Sequence, residues 1–146
     1  MAPTVSGKPT DIRIAPTVAP LMDQTTSLMD TSRRLVYVTA FHPGRQALLG
    51  YVFRREEYPW TQMWDWYPGS GRRSQRGMEF AVQPFDLPRR DVIQANSMFD
   101  TPTYRWIGAK QRLKTEFTVF LMEIAEGFRG VKDVRLENGE IHVISR

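Results

Sequence analysis

Cysteine is absent from this chain of 146 residues, which excludes a disulfide framework, a thiolate zinc site and a cysteine nucleophile together. Histidine occurs only at His42 and His142, too few for a metal site built from imidazoles, so neither a metal nor any other cofactor is expected. No segment approaches the apolar length needed to span a bilayer. The stretch Met1 to Pro20 lacks a basic start followed by a continuous apolar run, so it does not read as a signal peptide. The expectation is a soluble, cytoplasmic protein without a membrane partner, although one cut from an exported parent would look the same.

Charge of one sign is in modest excess, with 20 Lys and Arg against 16 Asp and Glu for a net +4. The arginines fall in scattered pairs, Arg33–Arg34, Arg54–Arg55, Arg72–Arg73 and Arg89–Arg90, each near a strand end or loop, and Glu56 and Glu57 follow the second pair. That scatter is solvated loop charge, not a phosphate-binding stripe, and a nucleic-acid partner is not expected. The aromatic-plus-basic stretch from Trp60 to Arg76 is the best support for the opposite view.

What is plentiful is aromatic side chain, at 12% with four Trp and eight Phe, enough to fill one core in a single domain of this length. Residues 1–33 are rich in Pro, Thr, Ser and Ala and read as an extended or poorly ordered tail, with at most a short strand near Asp11 to Val18. From residue 34 to 146 the signals are those of an all-β antiparallel sandwich. LVYVTAF (35–41) and ALLGYVF (47–53), joined through Pro43-Gly44, form a hairpin. WTQMWDWY (60–67) sets Trp60, Gln62, Trp64 and Trp66 on one face if extended. Over residues 77–85, Met78, Phe80 and Val82 face one way and Glu79, Ala81 and Gln83 the other. The stretch from Leu87 to Gly108 reads as irregular, with a short extended piece at Tyr104 to Ile107. Gln111 to Ile124 is the longest strand candidate, preferred over a helix for its Thr, Phe and Val content, and its second half is apolar on both faces, as in a covered central strand. VRLE and EIHVIS around Asn138-Gly139 form a two-residue hairpin of the primed type.

Two constellations carry chemistry. Glu79 and Gln83 share the polar face of a strand, and a carboxylate beside an amide suits sugar hydroxyls because the pair both donates and accepts. The ordinary alternative is a solvated charge on a half-exposed strand. The tryptophan row offers indole faces on which the apolar faces of pyranose rings stack, while serving equally well as core. On this reading Glu79 is the catalytic candidate, Gln83, Trp64 and Trp60 are sugar contacts, and Arg54 stands at the rim. His42, at a strand end, is a weaker candidate acid, and His142 is structural.

The run GMEFAVQPFD, preceded by YPWTQMWDWYP and followed by DTPTYRW and KQRLKTEFTVFLMEI, resembles the C-terminal half of galactose mutarotase-like proteins, relatives of aldose 1-epimerases. The resemblance spans about Arg34 to Ile144 and implies a large β-sandwich with sugar bound in an open groove. In such epimerases a Glu two residues before a Gln acts as base on the anomeric hydroxyl, and histidines from earlier strands act as acid and ligands. Matching the Gln to Gln83 puts Ala81 at the base position and Glu79 about 7 Å further along the strand. The family is well over twice this length, so the resemblance implies a fragment or a reduced relative that binds carbohydrate. Any activity would be isomerisation at an anomeric carbon, needing no cofactor. A half-sandwich leaves strand edges open, so a homo-oligomer or a missing N-terminal half would complete it. The competing reading is a non-catalytic structural or assembly module that pairs through those edges.

Overall fold

Antiparallel pairing organises the whole described chain, which in this computed structural model comprises residues 2–3, 9–11, 13, 14 and 21–146. The strands among the described residues are β1 (Ala2–Pro3), β2 (Pro9–Thr10), β3 (Leu21–Leu28), β4 (Leu35–His42), β5 (Ala47–Arg54), β6 (Trp60–Tyr67), β7 (Gln75–Ala81), β8 (Ser97–Met98), β9 (Thr101–Pro102), β10 (Phe117–Glu123), β11 (Val131–Glu137) and β12 (Glu140–Ser145), with an α-helix, α1 (Arg89–Ala95), and a single 3-10 turn at Pro43–Arg45. They form two three-stranded sheets, ordered β10-β5-β4 and β3-β6-β7, and two-stranded pairs β1-β2, β8-β9 and β11-β12. The all-β, sandwich-like architecture read from the sequence is what the chain adopts.

Alternation fixes which side chains meet. Register places Phe117 and Val36 on either side of Phe53, and Val119 and Val38 on either side of Tyr51, so these share one face of the β10-β5-β4 sheet. That face packs on Phe80 of β7. The Phe80 ring stacks on Phe53 with centroids 4.4 Å apart, and stands edge-on to Tyr58 at 5.0 Å and Phe117 at 5.2 Å. Met29, Val36 and Phe53 are buried at the centre of this cluster. Such ring pairs are worth about 0.5–1.5 kcal/mol each beyond the area they bury.

The opposite face of the same sheet carries Tyr37, Phe41, Leu48, Val52, Phe120 and Met122, and the β11-β12 hairpin covers part of it. Asn138 and Gly139 adopt φ of 52° and 82°, the positive values a type I′ turn requires. Arg33 clamps the hairpin in place. Its Nη1 donates to Asp133 Oδ1 at 2.6 Å, while the Tyr37 hydroxyl donates to the Lys132 carbonyl at 3.1 Å. Phe41 and Phe128 meet edge-on at 5.2 Å, and Val134 is fully covered. The Arg33–Arg34 pair, read as loop charge, thus includes one arginine with a fixed structural task.

Gly50 has a different reason for being where it is. A Cβ at this position would stand 2.1 Å from Phe120 Cζ, because the Phe120 ring lies flat over the glycine of its cross-strand partner.

Several expectations change. Leu21–Leu28, within the stretch read as a tail, is a full strand paired with β6 along its length. The short strand near Asp11 to Val18 lies mostly outside the described residues. Within Leu87 to Gly108, taken as irregular, Arg89–Ala95 is helical, entered directly from Pro88, and β9 at Thr101–Pro102 replaces the extended piece at Tyr104 to Ile107. The strand expected to reach Phe85 ends at Ala81. The strand expected over Gln111 to Ile124 covers only Phe117–Glu123, and among the described residues it is an edge strand with one neighbour rather than a covered central one.

Two predictions test this packing. Gly50→Ala costs about 1–3 kcal/mol by overpacking against the ring. In a Phe120→Ala background the ring is gone, and the same substitution stabilises by about 0.5–1 kcal/mol because alanine has less strand entropy to lose; denaturant midpoints of the four-member cycle read the sign change. The second concerns pH. The hydrogen bond from Arg33, and then that from Arg135, hold the Asp133 carboxyl below its ordinary 3.8. A depressed carboxylate contributes stability that is present above the ordinary value and lost as pH falls through the lower folded one. Asp133→Asn therefore lowers the melting temperature at neutral pH, and its gap from the parent chain closes as both are melted at successively lower pH below that value.

Candidate functional site

The outer face of the β3-β6-β7 sheet is where the tryptophan row lies. Phe80 of β7 faces the core opposite Thr61 of β6, so Trp60, Gln62, Trp64 and Trp66, together with Glu79 and Gly77, point away from the partner sheet. β3 adds Thr26 opposite Gln62, Gln24 opposite Trp64 and Met22 opposite Trp66.

One end of this face is roofed. After Ala81 the chain crosses back over it through Pro84, α1 and the β8-β9 turn, and Trp60 is 0% exposed beneath, its Nε1 donating to the Pro102 carbonyl at 3.2 Å. Gln62 is also buried and stitches the roof to the sheet: its Nε2 donates to the Gln83 carbonyl at 2.9 Å, and its Oε1 accepts from Gln24 Nε2 at 2.7 Å. Thr103, fully buried, donates its hydroxyl to the Val92 carbonyl at 2.8 Å and anchors α1. Trp60 is therefore a core residue with a satisfied indole nitrogen, and not a surface on which a ring can stack.

The other end is open. Trp64 and Trp66 are half-buried, Glu79 is exposed, and Met22 is 76% exposed. Trp64 Cε3 and Glu79 Oε1 lie 3.5 Å and 3.6 Å from the point where a Gly77 Cβ would stand. The Trp64 indole and the Glu79 carboxylate thus flank Gly77 on the open part of this face, bordered by the Gln24 amide.

The sequence candidates are thus divided. Glu79 and Trp64 come together. Gln83 lies beyond the strand, exposed, with its side-chain amide donating to the Phe85 carbonyl at 3.0 Å. Arg54 is at the end of β5 in the other sheet, ion-paired with Glu57 at 3.4 Å, and lines a groove of about 730 Å³ with Phe117, Thr118 and Leu136. His42 closes β4, and His142 sits in β12 within 3.9 Å of Glu140, so both histidines stand on other sheets than Glu79. Gln24 and Thr26 were missed because their segment read as a tail. They share one strand face with Met22 and Leu28, and that mixed polar and apolar face gave no period-two signal.

The opposite face of β6 carries a second polar feature. Asp65 Oδ1 and Arg76 Nε approach to 3.0 Å across the β6-β7 pair. Burial pushes the Asp65 carboxyl above its ordinary range, with Arg76 pulling the other way. A further recess of about 410 Å³ lies by the roof, where Tyr104 and the exposed Trp106 join Arg55, Asp100 and Val82, none of them a site candidate from the sequence. The Arg89 guanidinium caps Trp106 at 5.5 Å. Among the described residues no cluster of three His, Cys, Asp or Glu side chains is arranged to hold a metal ion, and no helix is long and apolar enough to cross a membrane.

Compared with known protein families, curated proteins and solved structures, the chain matches none.

Proposed function

We propose that this chain is a carbohydrate-binding β-module that receives a sugar ring on Trp64, with Glu79 and Gln24 meeting its hydroxyls. The observation that carries the reading is the Trp64 indole and the exposed Glu79 carboxylate flanking Gly77 on an open sheet face. Indole supplies apolar area for the C–H face of a pyranose, and a carboxylate and an amide at its border supply acceptors and a donor for the equatorial hydroxyls. Half-exposure of Trp64 and Trp66 favours this over pure core packing, since Trp60 shows what a core tryptophan of the same row looks like. The likeness of residues 77–86 and their flanks to galactose mutarotase-like proteins agrees with it.

Binding without turnover is the form of the proposal. Anomeric epimerisation needs a base and an acid on opposite sides of one ring. Ala81 occupies the position that matches the epimerase base, and both histidines belong to other sheets than Glu79.

Titration with neutral mono- and oligosaccharides, followed by tryptophan fluorescence, is expected to give a saturable change. Trp64→Ala weakens that binding by about tenfold or more, corresponding to about 1.4 kcal/mol, and Glu79→Gln by a smaller factor. Arg54→Ala leaves it unchanged. In polarimetry, a freshly dissolved α-aldose equilibrates at its uncatalysed rate in the presence of the protein. A flat titration across these sugars sinks the proposal, and an accelerated polarimetric rate sinks its non-catalytic form.

A further inference from the structure

We propose that two copies of this chain pair edge to edge through β10, joining their β10-β5-β4 sheets into one six-stranded sheet across a two-fold axis. The inference is independent of sugar binding. Among the described residues β10 has β5 on one side and no strand on the other. The Ile124 amide donates to the Gln46 carbonyl at 2.9 Å, and the register continues this pairing through Met122 with Leu48 and Phe120 with Gly50. Antiparallel strands alternate, so the even-numbered residues spend their backbone groups on β5, while Phe117, Val119 and Leu121 aim theirs at the open edge.

The same three residues expose their side chains, at 51%, 55% and 74%. The run from Phe117 to Met122 contains no charge, proline or glycine, the devices by which proteins blunt a free edge. The other edges differ. β3 carries Asp23, β7 carries Arg76 and Glu79, and β4 keeps Val36, Tyr37, Val38 and Thr39 at least half covered.

Two observations choose a second copy as the occupant. One is charge. Lys110 and Arg112 precede β10, followed by Lys114 ion-paired with Glu116, while Glu123 and Glu126 end and follow the strand, so antiparallel pairing of two identical strands lays the net basic flank of each beside the acidic flank of the other. The other is register. Centring the axis on Val119 sets each Phe117 opposite Leu121 and Val119 opposite itself, so every exposed apolar side chain meets another. A shift of the axis by one residue either way opposes Phe117 with Glu123, or Leu121 with Thr115.

The test is sedimentation velocity of the full chain over a concentration series, with amide hydrogen exchange. A reversible dimer is expected at micromolar concentration, with slow exchange at Phe117, Val119 and Leu121. Val119→Lys places like charges opposite each other across the axis and weakens the dimer at least about tenfold. It also speeds exchange at those amides, and its melting curve reports that the monomer still folds. Arg112→Glu and Glu126→Arg each weaken the dimer, and the double swap restores it, which a folding defect cannot do. A monomer at every concentration overturns the proposal. So does a dimer indifferent to Val119→Lys and to the charge reversals, since it pairs elsewhere. Slow exchange persisting in a monomeric Val119→Lys chain overturns it too, because a segment of the same molecule then covers the edge.

Discussion

The stack of Phe80 on Phe53 is the contact on which the rest of this structure depends. The chain has no cysteine to staple two three-stranded sheets together, and its sheets are joined by one aromatic cluster, in which Phe80 meets Phe53, Tyr51, Tyr58 and Phe117. Because residues alternate along a strand, turning Phe80 inward turns Glu79 outward, and the register then commits Trp60, Gln62, Trp64 and Trp66 to the outer face. A slip of one residue in the β6-β7 register would take the indoles off the face that Glu79 occupies. The candidate sugar platform is in that sense a geometric consequence of where the core rings sit.

The roof decides which tryptophan serves which purpose. All four even-numbered side chains of β6 begin as equivalent members of one row, and only the crossing segment separates them. Trp60 and Gln62 gain hydrogen bonds to the Pro102 and Gln83 carbonyls, which offset the cost of burying an indole N–H and an amide. Trp64 and Trp66 receive no such cover. A buried Gln62 bonded on both sides also fixes Gln24 beside Trp64, so the roof orders the border of the open patch without touching it.

What the sequence made legible was local. Both hairpins and the extent of the tryptophan strand follow from period-two alternation and turn chemistry, and they are found. What it hid was tertiary. Thr25, Thr26 and Ser27 made β3 look like a polar tail, because a strand whose outer neighbours are Gln62 and Trp64 needs no continuous apolar stripe. The stretch from Leu87 to Gly108 reads as irregular, although a proline also opens helices, as Pro88 does before α1. Gln83 left the site because the chain had already turned to build the roof. The apolar faces of β10 were read as doubly covered, since pattern shows that a face is greasy and is silent on whether anything arrives to cover it.

That last failure has a physical cause. Phe80 docks at the end of the β10-β5-β4 sheet marked by Phe53 and Phe117, and exposure along β10 rises step by step away from it, from Phe117 through Val119 to Leu121. On the neighbouring strands the same gradient runs from buried Phe53 to half-buried Leu49, and from buried Val36 to exposed Ala40. The two sheets are therefore offset, with one face of the larger apolar surface overhanging the smaller. An overhang of this kind combines unsatisfied backbone groups with unburied side chains at one edge, and a single flat partner strand satisfies both at once. A small ligand would reach the side chains alone, which is why we propose a protein partner for the overhang and a sugar for the indole patch on the other sheet.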